Sequence, residues 1–299
     1  MIAEQLARLL RAGGGFAAMA ELGLPRALAE GLSFAEIVPL WRLLGRHASA
    51  APLGEAMLAE AWMGEAGLPP QEAVVLCAES LASVPFGRMA GAVLTATGDA
   101  LILHQAQLRQ AGGNLAGDPR DAMAEAPIAR AALDHAARRI RLGLALLRAA
   151  QMAGAAETAL ELSLEWANTR RQFGRSIGKF QAVQQSLAQM AAEAAAMEVA
   201  LAAAARAADA RGLPGAAFEI GCAKLMAGEG GTRIAAGAHQ IFAAMGMTEE
   251  HALQRFTRRL WAWRDEAGSE REWATELGEF AMAQGARFWV ALTERDLHG

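Results

Sequence analysis

Apolar and polar positions along this chain repeat with two different periods, and the changes of period divide it into three parts. From residue 4 to 66, apolar runs at helical spacing are cut at Gly13-Gly14-Gly15, Gly23 to Pro25, Gly31 and Pro52, and the region closes at Pro69-Pro70. Several short helices packed together are expected. Ser33, with Glu36 three residues on, predicts a capping box opening a helix over Phe34 to Leu44. Between about 71 and 115 the pattern shortens. Ala73 to Ala78, Ala92 to Ala96 and Ala100 to His104 are short runs with β-branched content, and Gly98-Asp99 between the last two reads as a hairpin turn. Asn114 to Met123 reads as a turn-rich linker. From about 128 the helical period returns. Long helices are expected over 128–153, 154–173, 179–210 and 215–245, a shorter one over 249–264 and another over 270–295.

The fold class that follows is mainly α: an N-terminal helical domain (1–70), a reduced β-module with its linker (71–125) and a C-terminal four-helix bundle (126–299). The alanine-rich stretch 191–209 has strong helix propensity and small faces suited to close packing. Composition adds a second expectation. Hydrophobic residues make up 54% of the 299 and charged residues only 20%, so an oligomer that covers apolar surface is expected, through the helices over 179–210 and 215–245. Net charge is −4 with both signs interleaved, which offers no basic stripe to nucleic acid. No apolar run of about 18 residues lacks a charge, so no membrane span is expected. Cys77 and Cys222 lie far apart, without zinc or redox spacing, and a cytoplasmic location is expected.

Candidate chemistry is concentrated in Trp166 to Met190, WANTRRQFGRSIGKFQAVQQSLAQM. By residue type alone, Arg170 and Arg171 complement a helix C-terminus and Gly174 supplies a left-handed cap. Together with Trp166, Ala167, Gln172, Phe173, Phe180 and Gln181, however, the segment resembles the signature of the acyl-CoA dehydrogenase family, an aromatic-Ala-x-x-Arg-x-Gln-Phe-Gly followed by a Phe-Gln that opens the next helix. The resemblance implies that Arg170 contacts the FAD pyrophosphate of a neighbouring subunit and that Phe173 packs on the cofactor; a bidentate guanidinium suits a pyrophosphate. His239 to Leu253, HQIFAAMGMTEEHAL, is similar to the family's glutamine and glycine-rich turn on the pyrophosphate and adenine side, which brings in Gln240 and Gly246. Ala243 and Ala244 stand where the family has paired glycines. By residue type, Gly246 caps one helix and Thr248 N-caps the next, with Glu249 and Glu250 in its first turn. The expected cofactor-binding set is therefore Arg170, Gln172, Phe173, Gln181, Gln240 and Gly246, with FAD held at a subunit interface and an acyl-CoA thioester as substrate.

Two departures from the family shape the functional expectation. The β-module is short and lacks the loop that holds the flavin ring, with Ser83 to Arg88 and Asn114 to Pro119 as its remnants. The residue before Gly268, where many members carry the glutamate that removes the α-proton, is Ala267, and Glu266 is one position off. The stretch Leu146-Leu147-Arg148, where other members place it, has no carboxylate. By residue type, Asp265, Glu266, Glu270 and Glu272 read as a solvated helix-breaking turn. Three functions fit: a subunit of a heteromeric acyl-CoA dehydrogenase of lipid metabolism whose partner supplies base and ring site, a shortened self-sufficient flavin dehydrogenase using Glu266, or a non-catalytic scaffold. No metal site is expected.

Overall fold

The computed structural model describes residues 1–248 and 250–294. Four helices open the chain, α1 (Ile2–Arg11), α2 (Phe16–Glu21), α3 (Phe34–Arg46) and α4 (Leu53–Glu65), with a 3-10 turn over Leu24–Arg26. The predicted capping box is present on α3: Ser33 Oγ accepts from Glu36 N, and the Glu36 carboxylate accepts from Ser33 N. The two amides between them are satisfied from a distant part of the chain. Asp209 accepts from Phe34 N at 2.6 Å and from Ala35 N at 2.9 Å, so the helix start has no orphan donor in its first turn.

Seven strands follow: β1 (Val75–Cys77), β2 (Val84–Pro85), β3 (Ala92–Thr97), β4 (Ala100–Gln105), β5 (Leu108–Gln110), β6 (Arg120–Met123) and β7 (Pro127–Ala132). They form a four-stranded sheet in the order β1-β3-β4-β7 and a three-stranded sheet in the order β2-β6-β5. The Gly98-Asp99 hairpin is as expected, with Thr97 opposite Ala100 and Gly98 at φ +58. The module is larger than the sequence predicts. Arg120–Met123, expected in the linker, pairs with both β2 and β5, and 127–132, expected at the start of a helix, is an edge strand paired with β4. Alanine-rich composition favours helix there, but sheet pairing overrides it, and Pro127 sits at the first position of an edge strand, where its missing N–H costs nothing.

The bundle is built on α5 (Ala136–Thr169), a single helix where two were expected. Gly154 reads as a break in the sequence. In the structure it is a contact point: a Cβ at Gly154 would overlap the Arg42 carbonyl of α3, and one at Gly45 of α3 would overlap the Gln151 carbonyl of α5. The two glycines let the helices touch backbone to backbone. A two-residue hairpin, β8 (Arg171–Gln172) and β9 (Arg175–Ser176), leads to α6 (Gln181–Gly215). α6 departs from helical geometry at Gly212 (φ 69, ψ 165), close to where its end was expected. Then come α7 (Ala217–Phe242), a 3-10 turn over Ala243–Met247, α8 (Leu253–Arg264), α9 (Glu270–Gln284) and α10 (Phe288–Thr293). The helix expected over 270–295 is thus interrupted at Gly285 (φ 52), and its last residue lies outside the described ones. α8 begins later than expected. Thr248 donates to Met245 O, and the Leu253 amide is taken by His251 Nδ1 at 3.1 Å; Glu249 lies outside the described residues.

α5 is buried along most of its length, whereas α6 keeps one long side exposed, including Val199 at 70%. By length and composition alone α6 is apolar enough to cross a membrane, although Glu193, Glu198, Arg206 and Asp209 interrupt its apolar run. Alanine supplies that apolarity, and the helix packs on α5 and α7.

Candidate functional site

α5 ends at Thr169, and Arg170 leaves it in extended conformation with its guanidinium 6.0 Å above the Trp166 ring. The chain turns back at Phe173 (φ 51) and Gly174 (φ 80), so Gly174 belongs to the hairpin turn and not to a helix cap. Positive φ at both central residues is the hairpin geometry that matches strand twist. It leaves Phe173 90% exposed, edge-on to Phe180 at 6.1 Å, and Arg175 lies 4.2 Å over the Phe180 ring.

Beside this hairpin, α6 and α7 enclose a groove made of two adjoining hollows. One, of about 320 Å³, is lined by Gln172, Phe173, Phe180, Ser186, Gln240 and Ile241 among others. The other, of about 430 Å³, shares Ser186 and Gln240 and adds Gln189, Glu193 and Arg233. Of the residues expected to hold a cofactor, the structure brings Gln172, Phe173 and Gln240 to this groove. Arg170 is exposed next to it without lining it. Gln181 is exposed at the first position of α6. Gly246 is buried in the 3-10 turn, where a Cβ would press on Phe242 and His239. Side-chain amides beside flat apolar surfaces and exposed guanidiniums are a donor set that fits the nucleotide half of a flavin dinucleotide.

A separate cavity of about 450 Å³ lies between the β-module and the bundle. Ser83, Pro85 and Arg120 line it from the module, Arg141, Leu144 and Arg148 from α5, and Asp265 to Gly268 from the α8–α9 turn, with Glu79 and Glu272 also on its wall. Both segments read as remnants of the flavin loop border it, Ser83 to Arg88 directly and Asn114 through its contact with Glu266. No lining residue is shared with the groove.

Glu266 does not face this cavity as a solvated carboxylate. Its Oε1 accepts from Asn114 Nδ2 at 2.9 Å and Arg120 Nε at 3.0 Å; its Oε2 accepts from Arg120 Nη2 and Arg148 Nε, both at 2.7 Å. Burial alone would raise this carboxyl, but the charges of Arg148 and Arg120 more than reverse that and hold it down to about 2. Arg148 is itself buried and reaches Glu55 at 2.7 Å and Gln151 at 2.7 Å. Lys224, also buried, donates to Arg264 O at 2.7 Å and Gly268 O at 2.9 Å, tying down both ends of the turn; burial brings its ammonium to about 8. Ala267 lines the cavity at φ 55, and its carbonyl accepts from Trp273 Nε1. Around the turn, Glu270 pairs with Arg264, and Glu272 forms a second capping box with Ser269. Among the described residues, Glu79 is the cavity carboxylate with neither a hydrogen bond nor an ion pair; it remains exposed at the cavity mouth, and partial desolvation there raises it.

The partners of Glu266 were not visible as a motif, since Asn114 and Arg120 come from one loop and Arg148 from a remote helix, where Arg148 in turn pairs with Glu55. One signal was available: Arg148 inside the apolar run LGLALLRAAQMAGAA is a charge on a helix with no solvent side, and such a charge requires a buried counter-charge. Among the described residues, no three His, Cys, Asp or Glu side chains cluster as metal ligands.

The model of the acyl-CoA dehydrogenase C-terminal domain matches residues 141–270, from within α5 to the start of α9. The acyl-CoA dehydrogenase IpdE2 of Mycobacterium tuberculosis is 37% identical over 117 residues, 38% of this chain and 34% of that protein. The glutaryl-CoA dehydrogenase of Desulfococcus multivorans is 35% identical over 113 residues, 38% of this chain and 29% of that protein. The matches therefore span about a third of these relatives' length. In fold the likeness is more extensive. A solved Tcur3481-Tcur3483 steroid ACAD variant superposes with a TM-score of 0.78 at 24% identity, covering 90% of this chain and 88% of that one. The ChsE4-ChsE5 complex of Mycobacterium tuberculosis superposes with 0.73 at 20% identity, covering 94% and 88%. In sequence, residues 141–270 thus resemble the C-terminal domain of acyl-CoA dehydrogenases, and the chain shares the fold of solved acyl-CoA dehydrogenases over nearly its whole course.

Proposed function

We propose that this chain is a subunit of a heteromeric, FAD-dependent acyl-CoA dehydrogenase. It contributes Gln172, Phe173 and Gln240, with Arg170 beside them, to the nucleotide half of a flavin whose ring site and catalytic base lie on a partner subunit. The observation that carries this reading is the state of Glu266. A base must present a free lone pair to the α-carbon of a thioester at hydrogen-bonding distance. Glu266 has both oxygens committed to two arginines and an asparagine, and is held near 2. The family position for the base carries Ala267. By contrast, the clamp residues stand open on a different face, with Phe173 projecting into solvent. Bound there, the flavin supplies hydride acceptance, and this chain's residues bind and orient it.

The test is flavin content. The chain is purified alone, and again co-expressed with an acyl-CoA dehydrogenase-like partner, and the visible spectrum of each is recorded. Flavin is expected only in the complex. Arg170→Ala is expected to weaken its retention at least about tenfold, the scale of one or two charge-assisted hydrogen bonds. Flavin in the lone chain would support a self-sufficient enzyme, and flavin in neither sample would leave a scaffold.

A further inference from the structure

A chain of alternating charges closes the wall of the cavity between the β-module and the bundle. It runs from Glu55 on α4 to Arg148 on α5, to Glu266 in the α8–α9 turn, to Arg120 on β6. We propose that Glu266 is a positioning residue, whose carboxylate fastens the loop 114–120 of the β-module onto the bundle and so fixes one wall of the cavity. This rests on the reading above that Glu266 is not a base.

Three observations converge on it. The carboxylate receives four hydrogen bonds, two on each oxygen, and these fill its acceptor positions. The same short loop is fastened to α8 at two further points: Arg258 Nε donates to Leu115 O at 2.9 Å, and Arg259 Nη2 to Asp118 Oδ1 at 2.6 Å. All three fastenings run from the loop to α8 or to the turn that leaves it. Finally, the four charges balance, two carboxylates against two guanidiniums, in a site where an unmatched charge is costly.

The wall follows the loop because of strand pairing. β6 begins at Arg120, which pairs with Pro85, and Asp121 pairs with Val84. Ser83 and Pro85 on the cavity wall therefore move with Arg120, and Arg120 moves with Glu266. A carboxylate in the bundle sets the register of the module across the cavity.

The test uses the full chain and three variants, Glu266→Gln, Arg120→Gln and the double variant, read by amide hydrogen exchange and by thermal midpoint. Glu266→Gln keeps the shape but removes the charge. It is expected to speed exchange at Asn114, Gly117 and Arg120, whose amides are bonded within this loop and to Gly112, by about tenfold or more while the α5 amides stay protected. The thermal midpoint is expected to fall as well. Adding Arg120→Gln restores charge balance around Arg148 and Glu55, so the double variant is expected to recover part of the midpoint while its loop still exchanges fast. That partial recovery separates positioning by charge from simple packing, which would add losses. Native exchange at the loop in Glu266→Gln would overturn the proposal, as would a double variant that loses the sum of the two single effects. Neither readout involves flavin or a partner, so this proposal and the heteromer can fail independently. Loss of turnover in a co-purified complex of Glu266→Gln, with loop exchange unchanged, would overturn both.

Discussion

Ala243 closes α7 at φ 51, ψ −136, a conformation that Gly285 also adopts at the end of α9 and that is nearly reserved for glycine. The methyl therefore carries strain of about 1–3 kcal/mol, held in place between the buried Phe242 and the buried Gly246 of the turn that follows. Ala243→Gly is expected to raise stability by about 1 kcal/mol, after the entropic cost of glycine is deducted, as measured by chemical denaturation. A second expectation at this scale concerns acid. The ordinary value for Glu266 is 4.5, and in the folded chain it lies near 2. Its folded value is depressed, so its contribution is complete above about 4.5 and is lost as pH falls toward 2. Thermal midpoints of the wild-type chain should fall through that window more steeply than those of Glu266→Gln, whose own loss is already taken at neutral pH. Parallel slopes would mean that Glu266 is not the anion that titrates there. Single residues were also where the sequence said most and least. Phe173 and Gln240 stood inside recognisable strings, whereas the role of Glu266 depended on Arg120 and Arg148, each remote from it and neither part of any string.

Among the elements, those fixed by local chemistry were legible. The α3 capping box needs only Ser33 and Glu36, and the β3–β4 hairpin needs only Gly98-Asp99 between two apolar runs. Elements that depend on a distant partner were not. β7 exists because β4 offers it an edge, and nothing in PIARAA itself outweighs alanine's preference for helix. Gly154 has the same ambiguity, since a glycine that admits another helix is indistinguishable in sequence from one that ends a helix. Gly154→Ala is accordingly expected to destabilise the chain by about 1–3 kcal/mol or more, because the obstruction is the backbone carbonyl of Arg42 and cannot rotate aside. A drop in the urea midpoint with an unchanged slope is the sign to look for. Gly278, where a Cβ would meet nothing, supplies the control: Gly278→Ala should be neutral or stabilising.

At the scale of the molecule, the three parts expected from sequence are all present, and the charged chain from Glu55 to Arg120 joins all three. The outer side of α6 and the projecting Phe173 are left as apolar surface. Val199→Glu on that side is expected to shift the chain or its complex toward smaller species in sedimentation, leaving the circular dichroism of the helices unchanged. An unaltered distribution would remove this face from the assembly. Three groove residues, Gln172, Phe173 and Gln240, could be singled out because they stand in two short segments. Gln189, Glu193 and Arg233 enter only through the packing of α6 on α7, and the cavity gathers its residues from all three parts of the chain.

The bidentate hold of Asp209 on the start of α3 also has a consequence for biosynthesis. Phe34 and Asp209 are separated by 175 positions. At a synthesis rate of about 5–20 residues per second, the amides of Phe34 and Ala35 wait roughly 10–35 s for their acceptor to be translated. Throughout that interval the nascent N-terminal helices lack a contact that α6 alone can supply.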